Sequence, residues 1–84
     1  MQQLRVVLDR ITKMVLSEGG HLSDIVRLTT FVTKIDDWFP LEGEIVDIFT
    51  EVFGDQKPTN AIMEVRRLAA AGLVVEIEAT VIFD

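Results

Sequence analysis

The residues able to do chemistry are few and unevenly placed along this chain of 84 residues. His21 is the only histidine and cysteine is absent, so a His/Cys metal cluster cannot form within one copy. Serine stands only at Ser17 and Ser23, and neither sits in a nucleophile-elbow motif. The Gly19-Gly20 pair lacks the further glycines and the lysine of a phosphate loop, and His21 beside it reads as an exposed turn residue. The most suggestive stretch is Pro58-Thr59-Asn60-Ala61-Ile62-Met63-Glu64-Val65, followed by Val75-Glu76-Ile77-Glu78-Ala79. Taken alone, Glu76 reads as a strand glutamate paired with Arg66 or Arg67 across a hairpin, and Asn60 as a polar strand-start residue.

Five elements must position these residues. Leu4, Val7, Leu8, Ile11, Met14 and Val15 recur at the 3, 4, 7 spacing of one helical face, and Gly19-Gly20 closes that helix. From Ile25 to Ile35 the period becomes two, with Val26, Leu28, Thr30 and Val32 on one face and Arg27, Thr29, Phe31 and Thr33 on the other. Asp36-Asp37 ends this strand and offers a cap to a second helix, where Pro40 suits the first turn. Leu41, Ile45, Ile48, Phe49 and Val52 form its stripe, Gly43 within it marks a close backbone approach, and Gly54 ends it. Two further strands follow, one through Ala61, Met63 and Val65 and one through Leu73 to Phe83. Leu68-Ala69-Ala70-Ala71-Gly72 has the length and terminal glycine of a hairpin connection between them. The order is helix, strand, helix, strand, strand, an α/β arrangement of the α+β kind in one domain, with the two helices expected on one face of the sheet.

Composition narrows the partners. A net charge of −6, a pI near 4.6 and a single adjacent basic pair, Arg66-Arg67, disfavour nucleic acid. Charged residues make up 26% and no apolar run is long enough to span a bilayer, so no membrane is expected. The absence of cysteine fits a reducing, cytoplasmic compartment. A hydrophobic fraction of 49% is high for so small a chain, which predicts a homo-oligomer rather than a monomer.

Several segments, in order, resemble the Rid family (YjgF/YER057c/UK114), whose best-known members are reactive-intermediate imine deaminases. They are Gly19-Gly20 with Leu22-Ser23-Asp24-Ile25-Val26, then Thr29-Thr30-Phe31-Val32-Thr33 through Trp38, then Phe49-Thr50-Glu51-Val52-Phe53-Gly54. Glu64-Val65 through Leu68 and Val75-Glu76-Ile77-Glu78-Ala79 complete the series. The resemblance implies a chorismate-mutase-like, YjgF-like sheet and assembly as a trimer with pockets between subunits; no cofactor or metal is expected. It implies hydrolysis of 2-imino acids to 2-oxo acids and ammonia. Glu76 matches the glutamate beside the attacking water, and the family pocket falls at Asn60, Ala61 and Ile62.

Two departures bear on that implication. The family domain opens with a strand pair before the first helix, and this chain starts at the helix, so residues 1–84 read as an N-terminally truncated form of the domain. The family's carboxylate-holding arginine is matched by Asn60, which brings no charge and no bidentate fork. The expected activity is therefore deamination weakened or lost. The alternatives are a non-catalytic ligand-binding or assembly module for a small carboxylate metabolite and, with less support, an endoribonuclease.

Overall fold

The computed structural model describes residues 2–38 and 42–83. The first helix, α1, runs Gln2–Ser17 and buries Leu4, Leu8 and Val15, with Val7 and Ile11 half-buried beside them. Met14, expected on the same stripe, is 63% exposed at its flank. Gly19 adopts φ +81, a conformation glycine enters without a Cβ clash, and the amides of Gly19 and Gly20 bond back to the carbonyls of Leu16 and Val15. Past it, Leu22–Asp24 forms a short 3₁₀ turn in which the buried Asp24 carboxylate accepts the His21 backbone N–H at 2.8 Å.

Strand β1, Ile25–Val32, is the centre of a three-stranded sheet ordered β2-β1-β3. A bulge between Ile25 and Arg27 breaks its alternation. Ile25, Leu28, Thr30 and Val32 therefore face the core, while Val26, expected with them, is 40% exposed. Strand β2, Thr59–Glu64, pairs parallel to β1, and strand β3, Val75–Val81, pairs antiparallel on the other side.

The expected hairpin between β2 and β3 is not formed, because β1 lies between them. The segment 65–74 instead crosses the end of β1. Val65 N–H donates to the Val32 carbonyl at 2.8 Å, and Thr33 N–H donates to the Val74 carbonyl at 3.2 Å. Leu68 is buried in that crossing, and Gly72 turns it at φ +86. The Gln3 side chain fixes its end: Nε2 donates to the Gly72 carbonyl and Oε1 accepts the Val74 N–H, both at 2.8 Å.

The second helix, α2, spans Glu44–Phe53 and buries Ile45, Ile48 and Phe53. Gly43 precedes it as N-cap at φ +63, and a Cβ there would meet nothing within 4 Å. Its role is the left-handed backbone, not the close approach expected from sequence. Asp36 and Asp37 do not cap α2. They lie in a 3₁₀ turn, Ile35–Asp37, that leads into the buried Trp38. Pro40 and Leu41, assigned to the start of α2 from sequence, lie outside the described residues.

Both helices cover one face of the sheet. Their buried side chains join Leu28, Val32 and Val75 in one core, with Ile62, Ile77, Ala79 and Val81 at its margin. Arg5 of α1 is hydrogen-bonded and ion-paired to Glu51 of α2 across the outer surface of that layer. The bond and the guanidinium charge hold the Glu51 carboxyl below its ordinary range, and Arg5 is raised by the same contact. A lowered folded-state value means the pair's contribution is present above the unfolded carboxylate value and is lost as pH falls through the folded one. In a carboxyl-detected NMR titration, Arg5→Ala is expected to move the Glu51 midpoint upward. An unchanged midpoint contradicts the pairing.

Candidate functional site

Register assigns each candidate side chain to a face of the sheet. Asn60, Ile62 and Glu64 of β2 lie beside Leu28, Thr30 and Val32 of β1, on the helix-covered side. Ala61 and Met63 lie beside Thr29 and Phe31, on the side the helices leave uncovered. On β3, Glu76 is opposite Phe31 and Glu78 is opposite Thr29, again on the uncovered side. The four residues singled out from sequence thus divide in two. Asn60 and Ile62 are on the helix side of the sheet, and Ala61 and Glu76 are on the open side. One copy of the chain does not bring Asn60 and Glu76 together.

On the helix side, Asn60 closes a small pocket. The cavity is about 200 Å³ and its floor is Leu28, Ile45 and Phe49, flanked by Val46 and Pro58. Lys57 and Asn60 stand at its rim, and both are exposed. Thr30, which has no solvent exposure, donates its hydroxyl to Asn60 Oδ1 at 2.8 Å. This bond satisfies a polar group that would otherwise sit inside the apolar layer. It also leaves the Asn60 amide N–H₂ as the end able to donate to a ligand. Sequence reading missed Lys57. Its signal was a cation directly before the Pro58 that starts the suggestive stretch.

On the open side, Glu76 and Glu78 project from alternate positions of one strand, about 7 Å apart along it. Both are exposed, and neither forms an ion pair among the described residues. The pairing of Glu76 with Arg66 or Arg67 across a hairpin, expected from sequence, is not formed: β2 and β3 are not neighbours, and among the described residues Glu76 has no ion pair. Around the glutamates lie half-buried Phe31 and Thr29 and, one strand further, Met63 at 44% exposure and Ala61. The surface is mixed, with apolar side chains toward β2 and carboxylates on β3. Among the described residues no group of three His, Cys, Asp or Glu side chains could hold a metal ion. No helix among them is long and apolar enough to cross a membrane.

The family described as Endoribonuclease L-PSP matches residues 1–83. The chain belongs to it. Rid/YjgF proteins share that family, and the likenesses follow the same line. A RutC family protein of Pyrococcus horikoshii is 30% identical over 77 residues, which cover 92% of this chain and 57% of the relative. The solved structure of a YjgF/YER057c/UK114 family member from Mycobacterium tuberculosis is 37% identical. It superposes with a TM-score of 0.76 over 89% of this chain and 60% of that one. E. coli TdcF, solved with bound serine, is 25% identical with a TM-score of 0.78, covering 95% of this chain and 61% of that one. This Rid-family chain therefore spans about three-fifths of the length of the relatives it matches.

The Thr30–Asn60 bond joins the pocket to the stability of the sheet. Asn60→Ala removes the acceptor of a fully buried hydroxyl and is expected to cost about 1–3 kcal/mol, read from the urea midpoint at unchanged slope. Replacing both partners, Thr30→Val with Asn60→Leu, is expected to recover most of that loss, since no polar group is then stranded. A double variant no more stable than Asn60→Ala alone contradicts the assignment.

Proposed function

We propose that this chain is a Rid-type domain that binds a small carboxylate metabolite at the Asn60 pocket and hydrolyses imines or enamines weakly or not at all. The observation that carries the reading is the Thr30–Asn60 pair over an apolar floor. It offers a neutral amide where family deaminases place an arginine. A neutral donor binds a carboxylate with roughly half the strength of a charged one and does not fix its plane. Serine bound to the similar TdcF is a small amino acid with a carboxylate, which supports a ligand of that size here.

Hydrolysis would also need Glu76 to orient or deprotonate the attacking water. Within one copy Glu76 and Asn60 occupy opposite sides of the sheet, so a Glu76 acting at the pocket has to come from another copy. The proposal accordingly includes a homo-oligomer, with the trimer as the arrangement the resemblance implies. The exposed Met63 and half-buried Phe31 on the open face favour such an association.

The family's endoribonuclease description finds little support on this surface. Arg5 and Lys13 are ion-paired to Glu51 and Asp9, and the net charge is −6.

Two measurements test the reading. Ammonia release from 2-aminoacrylate or 2-iminobutanoate, generated in situ by a dehydratase, is expected to stay near the uncatalysed rate. Asn60→Arg is expected to raise it if a second copy supplies Glu76. Acceleration by the unaltered chain of the size seen for true deaminases contradicts the proposal. In parallel, light scattering is expected to give a multiple of 9.5 kDa, and a stable particle of that mass alone removes the inter-copy site.

A further inference from the structure

We infer that Lys57 is the charged anchor of the Asn60 pocket, and that the pocket selects monocarboxylates carrying a branched apolar tail over the shortest ones. The inference rests on the proposed carboxylate-binding role of that pocket and adds the ligand class and the residue that reads its charge.

The pocket is divided between an apolar interior and a polar rim. Its interior is hydrocarbon and aromatic, from Leu28, Ile45 and Phe49, and offers a bound group no polar partner. Its polar groups, Lys57 and Asn60, are both at the exposed rim. Such a site suits a ligand with one anionic end and one greasy end. An oppositely charged or zwitterionic head close to the floor would meet no acceptor there.

Lys57 is also uncommitted. Among the described residues it makes no hydrogen bond or ion pair, whereas Arg5 and Lys13 are each held by a carboxylate. In a chain of net charge −6, an unpaired cation at the mouth of an apolar pocket is the local feature that favours an anion. Lysine supplies a point charge without the fork of arginine, so it attracts a carboxylate and leaves its orientation to Asn60.

Size completes the class. A cavity of about 150 Å³ lined by Leu, Ile and Phe accommodates benzene, which has six carbons. The cavity here is about 200 Å³. With the carboxylate and the adjacent 2-oxo group at the polar rim, 4-methyl-2-oxopentanoate places its four-carbon isobutyl tail inside, whereas pyruvate places one methyl carbon and leaves most of the floor uncovered.

The test is isothermal titration of the full chain at low salt with 4-methyl-2-oxopentanoate, pyruvate and the neutral 4-methyl-2-oxopentanamide. The branched acid is expected to bind about tenfold more tightly than either of the others. Lys57→Met is expected to weaken the acid about tenfold while leaving the amide unchanged, and Lys57→Arg to retain the acid. Circular dichroism and an unchanged melting temperature confirm that these loop variants fold. Equal binding of the acid by Lys57→Met, or equal binding of pyruvate and the branched acid, overturns the inference and leaves the carboxylate-binding proposal standing. No binding of any acid by the unaltered chain removes both.

Discussion

The alternation of side chains along β1 is the constraint on which the rest of the structure depends. As the central strand it supplies both partners of the sheet's pairing, parallel on one side and antiparallel on the other. Every residue of β2 and β3 takes its face from the β1 residue opposite. Leu28, Thr30 and Val32 bring Asn60, Ile62, Ile77 and Ala79 to the helix side, and Thr29 and Phe31 bring Ala61, Met63, Glu76 and Glu78 to the open side. The bulge at Val26 lets Ile25 rejoin the core before the Asp24 turn, and the Ile82 N–H bond to the Asp24 carbonyl, at 2.9 Å, closes the sheet there. A one-residue slip of β2 would exchange Asn60 for Ala61 beneath α2 and leave the Thr30 hydroxyl without its partner.

Much of this arrangement is written in local patterns. The stripe of α1, the positive-φ glycine after it, the alternation of β1 and the glycine that ends α2 are each consequences of a few adjacent residues, and each stands in the structure. Long-range choices were harder to read. Two strands separated by a short glycine-ended segment look like a hairpin, yet β1 and β2 are joined through α2, which makes them parallel neighbours and pushes β3 to the far edge. A bulge leaves no compositional mark: strict alternation puts Val26 with Leu28 on the core face, and the bulge turns it outward. Gly43 looked like a helix residue because the apolar spacing continues across it, while its φ of +63 makes it the boundary.

The candidate site shows the same division. Asn60 and Glu76 could be singled out from residue type and family resemblance, but their separation by the thickness of the sheet follows only from register. Lys57 could not be chosen among eight basic residues until the fold placed it at a pocket rim. In the proposed carboxylate site, a neutral amide and a nearby lysine would share the binding and orientation that a single arginine can perform together.

The central claim is that the ligand pocket of a given chain lies on the helix side of β2, across the sheet from that chain's own Glu76. A crystal structure with 4-methyl-2-oxopentanoate tests it most directly. Density is expected against Phe49 and Asn60 with the carboxylate toward Lys57. Density lodged on the open face, in contact with Glu76 of the same chain and away from Asn60, would contradict it.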